Sequence, residues 1–390
     1  MTLKTPIYLD NHATTPVDAR VLEAMLPYFT EVYGNAASKD HPFGFAARDA
    51  VEKAREQLAS LIGARPEEIT FTSGATEADN IALFGVAERY ADRGDHIITS
   101  VTEHPGILDA ARRLEQMGKQ VTYLPVDQYG RVDPEDVQRA ITPRTILISI
   151  MMANNEIGTI ANVQEIGRIA HERNVVFHTD AAHAVGHIPV NVRTLNIDVM
   201  SFSAHKFYGP KGIGALYGRR SLPRVKLAPV VYGGGHERGL RSGTLNVPAI
   251  VGFGVACELA GKEMTDENAR FRQWTKHMLE RLQAELDDVE LNGHPTERLP
   301  HNLNVSIKGV ESKSLIVGLK DVAISAGSAC STDKAEPSHV IMALGFGEAR
   351  AHSAIRVGLG RQNTHDEVEY ATDRIITESK RLRRLTIKSV

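Results

Sequence analysis

Between residues 69 and 217 the chain alternates short apolar runs of strand length with amphipathic helical patterns, and few folds accommodate such an alternation. Strands are expected near residues 69–72, 96–101, 121–126, 145–151, 175–178, 199–202 and 215–217, with helices between most of them. Strands separated by helix-length segments pair in parallel, and the helices must then cover both faces of the sheet. The expected class is α/β, with a large unit built on a mostly parallel seven-stranded sheet. After Gly254 the pattern changes. A long helical periodicity runs through Leu259, Phe271, Trp274, Met278 and Leu282, and short strands such as 303–307 follow with shorter helices. This shift marks a second, smaller α/β unit towards the C-terminus, and 390 residues at 42% hydrophobic content can bury two cores.

Composition removes several classes of function. A formal net charge of −3 offers no electrostatic footprint for direct nucleic-acid binding. Residues 1–12 lack the apolar core of a signal peptide, and the longest apolar stretch, 146–153, is strand length, so no membrane association is expected. The two cysteines, Cys257 and Cys330, make neither a disulfide framework nor metal-ligand spacing. No metal site is expected, and a reducing, cytoplasmic setting suits such a chain.

Candidate reactive residues recur at the ends of the apolar runs: Ser73 to Thr76, Asn154 and Asn155, Asp180, and Ser203 to Lys206. In wound α/β sheets ligands bind outside the carboxyl ends of the strands, so these segments should meet in one crevice. Residues 72–77 (TSGATE) join a strand to a helix with apolar positions Ala78, Ile81, Ala82 and Val86. Free amides at that start, with the Thr76 hydroxyl, suit a phosphate; an ordinary capped helix start has the same appearance. Lys206 sits among small polar residues and is followed by Gly-Pro-Lys-Gly, unlike the usual surface lysine. A lysine amine, with a pKa of about 10.4 when free, becomes a nucleophile near neutrality only through burial or Schiff-base formation. Asp180 ends a Val- and Phe-rich run and reads either as a helix cap or as a carboxylate that keeps a pyridinium nitrogen protonated. Together, Lys206 and Asp180 are what a pyridoxal phosphate enzyme needs.

Other positions stay open on sequence grounds. His104, at a further strand-to-helix junction, fits stacking on a cofactor ring with proton transfer, or a solvent-facing turn. Asn155 fits a substrate contact or plain turn chemistry, and Arg356 a bidentate pair with an amino-acid carboxylate or a structural ion pair. Cys330 lies in a stretch of small polar residues without periodicity, where a thiol is accessible; Cys257 has helical neighbours and reads as a packed core residue. The basic tail of Lys380, Arg381, Arg383, Arg384 and Lys388 reads as a solvated helix face or, less simply, as a docking surface for an acidic partner.

With these residues in place the chain resembles the cysteine desulfurases of the IscS/NifS type, within the class V aminotransferase family of pyridoxal phosphate enzymes. The likeness runs nearly end to end, through residues 8–16 (YLDNHATTP), 72–80 (TSGATEADN), 154–158 (NNEIG), 203–206 (SAHK), 233–239 (GGGHERG), 241–244 (RSGT), 328–330 (SAC) and 355–361 (IRVGLGR). The resemblance implies fold type I, with residues 15–260 as the large cofactor-binding domain and residues 1–14 plus 261–390 as the small domain carrying the Cys330 loop. It makes Lys206 the Schiff-base lysine, Asp180 the pyridinium partner, and His104 the stacking imidazole. Phosphate contacts fall to Ala75, Thr76, Ser203 and His205, and to Thr244 from the other subunit of a homodimer, while Asn155 and Arg356 hold the substrate carboxylate.

One position departs from the family pattern. His183 stands where these enzymes usually carry a glutamine that hydrogen-bonds the cofactor phenolic oxygen; one tautomer of histidine donates the same bond, and a protonated imidazole would favour the phenolate more strongly. The implied reaction takes L-cysteine to L-alanine, with sulfur held as a persulfide on Cys330 and passed to an acceptor protein such as an iron–sulfur scaffold or a thiolation relay; a DNA-sulfur-modification system is equally compatible. A selenocysteine lyase or aminotransferase of the same fold, and a non-catalytic sulfur-relay scaffold, are the rival readings.

Overall fold

The structure is a computed structural model and describes residues 3–222, 224–326 and 337–387. Seven strands form its central sheet in the order Ile69–Thr72, Gly214–Gly218, Val199–Ser203, Val176–Asp180, Thr145–Ser149, His96–Ser100 and Gln120–Leu124. Gly214–Gly218 runs antiparallel to both of its neighbours, opposite to the other six strands. Every residue of Ile69–Thr72, His96–Ser100, Thr145–Ser149, Val176–Asp180 and Val199–Ser203 is buried, which is why these strands read as unbroken apolar runs. The expected strands are all present, with ends shifted by a residue or two.

Helices cover both faces of the sheet. Ala75–Arg89 and Pro105–Gln116 close one face through Ile81, Leu83, Val86, Ile107 and Leu114. Pro42–Ile62 and the first half of the 39-residue helix Val247–Glu285 take part in the main core on the other, with Val51, Leu58, Ile250 and Phe253. The sequence placed this last helix after Gly254, but it starts at Val247, capped by Asn246, whose side chain accepts from the Ala249 amide. Gly252 and Gly254 are points of close approach: a Cβ at Gly254 would lie 2.8 Å from Ala54 Cα, and one at Gly252 would lie 2.5 Å from Met25 Sδ. Helix–helix packing at that distance overrides the weak helical propensity of glycine.

The second half of the same helix leaves the first core for another. Phe271, Trp274, Met278 and Leu282 pack with the antiparallel sheet of Val289–Leu291, Asn302–Ile307 and Ala354–Gly358, and with Ile7 and Leu9 from the start of the chain. Ile7–Tyr8 pairs in parallel with Val322–Ala323. The final helix, His365–Ile387, lies on this core through Val368, Ala371, Ile375 and Ile376. Its basic face is not merely solvated. Arg383 donates to the carbonyls of Asp287 and Lys308 and so staples the helix to two turns, while Lys380 pairs with Glu285. Cys257 is buried as expected, and burial holds its thiol well above the ordinary range.

One buried ion pair joins the sheet edge to the loop after it. Glu237 accepts two hydrogen bonds from Arg55, each 2.9 Å, and another from the Phe71 amide at 2.8 Å, and both side chains are buried. Removing one partner leaves the other charge without compensation. Glu237→Ala should lower stability by about 3–5 kcal/mol, read from urea unfolding, whereas a surface pair such as Arg112–Asp109 should contribute about 1 kcal/mol or less.

Candidate active site

Because the strands are parallel, their carboxyl ends share one edge of the sheet. A cavity of about 520 Å³ lies there, lined by Ala13, Thr14, the turn from Ser73 to Glu77, Asp79, His104, Asp180, Ala182, His183, Ser203, His205, Lys206, Lys211 and Gly212. It thus gathers Ala75, Thr76, His104, Asp180, His183, Ser203, His205 and Lys206 from the expected site. Asn155 and Arg356 lie outside this lining. Arg356 is buried, donates to the Asn155 carbonyl at 2.9 Å and pairs with Asp10 at 2.9 Å. Thr244 is exposed and is not part of this lining. Cys330 lies outside the described residues.

Asp180 is the last residue of its strand and is fully buried, with Oδ1 accepting from the Ala182 amide at 2.8 Å. Burial raises its carboxyl pKa, against the lowering effects of His104 and Lys206. Lys206 ends a single 3-10 turn after Ser203 and extends its amine towards the N-terminal segment, donating to the carbonyls of His12 and Ala13 at 2.8 and 2.9 Å. The helix Ala75–Arg89 opens at Gly74 without a side-chain cap, so its first amides face the cavity unclaimed by a capping side chain. His205 Nδ1 sits 3.0 Å from the Thr14 hydroxyl.

His104 is not a solvent-facing turn residue. Its Nδ1 accepts from the Gly106 amide at 3.0 Å, which caps the next helix and leaves the ring proton on Nε2 in the neutral form. Desolvation lowers its pKa, with Asp180 pulling the other way.

Sequence reasoning overlooked Asp79, Thr14 and the carbonyls of His12 and Ala13. Asp79 lies one helical turn beyond Ala75 and is fully buried, with His178 Nε2 3.7 Å from its Oδ1. Burial, with Asp180 and then Glu103 adding to it, holds this carboxyl well above the usual range. A lone aspartate on the otherwise apolar face of Ala78, Ile81, Ala82 and Val86 was the available signal. The N-terminal segment was marked only as part of the family likeness, at residues 8–16, without a role for His12, Ala13 or Thr14.

The wound sheet, with a lysine amine, a buried carboxylate and helix-start amides in one strand-end cavity, defines an enzyme site for covalent work on a small anionic group. Residues 7–371 match the family described as aminotransferase class-V. The chain is 53% identical to cysteine desulfurase IscS of Anaeromyxobacter dehalogenans (strain 2CP-C) over 384 residues, which is 98% of this chain and 95% of that protein. Among solved structures it is similar to a NifS-like protein, with a TM-score of 0.88, 38% identity, and 95% and 98% of the two chains covered. It is also similar to SspA in complex with cysteine, with a TM-score of 0.80, 37% identity, and 90% and 98% covered. The chain belongs to the class V aminotransferases, a family of pyridoxal phosphate enzymes, and its architecture is fold type I.

The site's imidazoles have a consequence for stability. Burial pushes His178 down to about 3 and His187 and His205 down to about 4. In the unfolded chain each titrates near about 6.5, so the stability from keeping them neutral is full above that pH and is lost as pH falls towards 4. Between about pH 6.5 and 4, His178→Asn in the cofactor-free protein should make the fall of urea-unfolding stability shallower by about one proton per chain.

Proposed function

We propose that this protein is a cysteine desulfurase that takes sulfur from L-cysteine, releases L-alanine, and passes the sulfur on through Cys330. The observation that carries this reading is the convergence of Lys206, Asp180, His104 and a helix-start anion cradle in one cavity, in a chain about half identical to a cysteine desulfurase. The likeness to SspA, solved in complex with cysteine, supports the choice of substrate.

The lining suits pyridoxal phosphate. Asp180 is a buried carboxylate facing the cavity, which suits a protonated ring nitrogen, and the amides after Gly74, with Thr76, Ser203 and His205, suit a phosphate. When bound, the cofactor supplies an aldehyde that bonds to amines and a ring that withdraws electrons from the substrate α-carbon. Lys206 is the amine that would hold it and, once released, the base that moves the α-proton. Asp180 would keep the ring nitrogen protonated, and His104, at the start of its helix, would lie against the ring. Asn155 and Arg356 hold the substrate carboxylate, with Arg356 exchanging Asp10 for it. The Cys330 thiolate attacks the substrate sulfur, the carbon–sulfur bond breaks, and the carbon skeleton takes up a proton to leave as alanine. No external oxidant is needed, because the electron pair of the broken carbon–sulfur bond stays on the carbon, which takes the proton, while the sulfur is oxidised to the outer atom of the persulfide.

The reading extends to assembly and setting. Residues 15–260 act as the cofactor-binding unit and residues 1–14 with 261–390 as the unit bearing the Cys330 loop, a division supported by the packing of Ile7, Leu9 and Phe271 in a core apart from that of Val51, Leu58 and Ile250. Two subunits pair so that Thr244 of each completes the phosphate cradle of the other; the exposed Leu22, Leu26, Phe29, Tyr33 and Phe43 support a covered face. The enzyme works in a reducing cytoplasm and hands its sulfur to an acceptor protein, an iron–sulfur scaffold or thiolation relay. Among the described residues no helix is long and apolar enough to cross a membrane. A non-catalytic relay would have no use for a half-buried lysine beside a buried aspartate.

Lys206→Ala should abolish the visible absorption band of the bound cofactor and all alanine release. Cys330→Ala should keep the band and lose persulfide formation, followed with labelled cysteine. Normal sulfur transfer by the Cys330 variant would overturn the reading.

A further inference from the structure

Four buried histidines lie beside Lys206. His301 stacks between His12, with ring centroids 4.4 Å apart, and His187, at 3.9 Å, and His12 Nδ1 lies 3.4 Å from His183 Nδ1. Among the described residues no three ligating side chains are placed to hold a metal ion. What the cluster does contain is a hydrogen-bond chain with a direction.

The direction starts at Arg298, whose guanidinium can only donate. Its Nη2 lies 2.9 Å from Asn302 Oδ1, and Asn302 Nδ2 lies 3.0 Å from the Glu156 carbonyl. Turning the amide over would set its NH2 against the guanidinium and its oxygen against a carbonyl, so chemistry settles its orientation. The site is also tight: a Cβ on Gly158, at φ 76°, would lie 2.5 Å from Asn302 Oδ1. Asn302 Nδ2 therefore donates its second hydrogen to His12 Nε2, 3.1 Å away. In a neutral imidazole one nitrogen accepts and the other donates, so His12 carries its proton on Nδ1 and gives it to His183 Nδ1. The remaining nitrogen of His183, Nε2, makes no hydrogen bond among the described residues, and His183 lines the cavity, whereas His12 does not.

We propose that Arg298, Asn302 and His12 form a positioning relay that fixes His183 as an Nε2–H donor into the cofactor cavity. Its use rests on the pyridoxal phosphate reading above: a fixed donor in the cavity serves an anionic oxygen of the cofactor, without the reorientable amide of glutamine. Burial, followed by the charges of Lys206 and Arg356 and by His301 and His187, keeps His183 well below its ordinary pKa, and burial with the same Arg356 does so for His12. The doubly protonated ring considered from sequence is thereby disfavoured.

The tautomer can be read without cofactor, by long-range proton–nitrogen NMR on protein labelled at histidine nitrogen, with His183 assigned by the signals lost in His183→Gln. The relay predicts a protonated Nε2 and a bare Nδ1 on His183. Asn302→Asp offers His12 Nε2 an acceptor in place of a donor, so both rings should reverse and the two His183 nitrogens exchange character. Should that variant fold poorly by urea unfolding, His12→Ala serves instead and should leave His183 averaging between tautomers. A protonated Nδ1 in the wild type, or a tautomer unmoved by either variant, would overturn the relay.

With pyridoxal phosphate added, Asn302→Asp should raise the pH at which the visible band shifts, by about tenfold in proton affinity, because the oxygen loses its donor. Combining it with His183→Gln should restore the original value, since glutamine donates whatever the relay does. Absence of any band would sink the cofactor reading and leave the NMR result standing.

Discussion

The parallel pairing of Val176–Asp180 with Val199–Ser203 underlies the rest of this structure. It sets Asp180 opposite Ser201 and so brings the carboxylate to the sheet edge from which Ser203 to Lys206 emerge. A slip of one residue would turn Asp180 to the other face and bring Phe177, which points the opposite way, to the side Asp180 now faces. Burial on both faces excludes that slip, since Phe177 and Phe202 are fully enclosed and His178 is held between the hydroxyls of Ser149 and Ser201 at 2.9 Å each. The polar floor of the site is therefore held in register by the same strands that form the core.

The chain's first segment ties the site to the smaller core. Ile7 and Leu9 are buried among Phe271, Leu303 and Val357, and the Asn11 side chain donates to the Gly358 carbonyl. Gly358 allows this approach, because a Cβ there would lie 2.7 Å from His12 Cδ2. His12 and Ala13 then present their carbonyls to the Lys206 amine, and Thr14 its hydroxyl to His205. Lys206 thus projects from one core and is received by a strap anchored in the other. Movement between the two cores would change the surroundings of this amine.

The site is also a place where burial dominates charge. Asp79, Asp180 and Glu103 are all fully buried carboxyls with raised pKa values, while the surrounding imidazoles are lowered. Desolvation moves both kinds of group towards neutrality. A cation entering the cavity beside Asp180 would find a carboxylate that gains from ionising, so ligand and protein would exchange proton affinity in a closed space.

The strand and helix order, the buried runs and the cluster of Lys206, Asp180, His104, Ser203 and His205 at strand ends were all legible from residue order, because hydrophobic periodicity and the strand-end rule are local properties of the chain. The extent of the helix at Val247 was not, since the glycines in it answer to Ala54 and Met25, far away in sequence. Nor were the buried Asp79, the Asp10–Arg356 pair and the strap that receives Lys206. Residue order alone settles which groups reach the strand edge. Which atom of each faces the cavity, and the proton direction from Arg298 through Asn302 and His12 to His183, depends on contacts between segments up to some 290 positions apart, and only the packed chain brings those together.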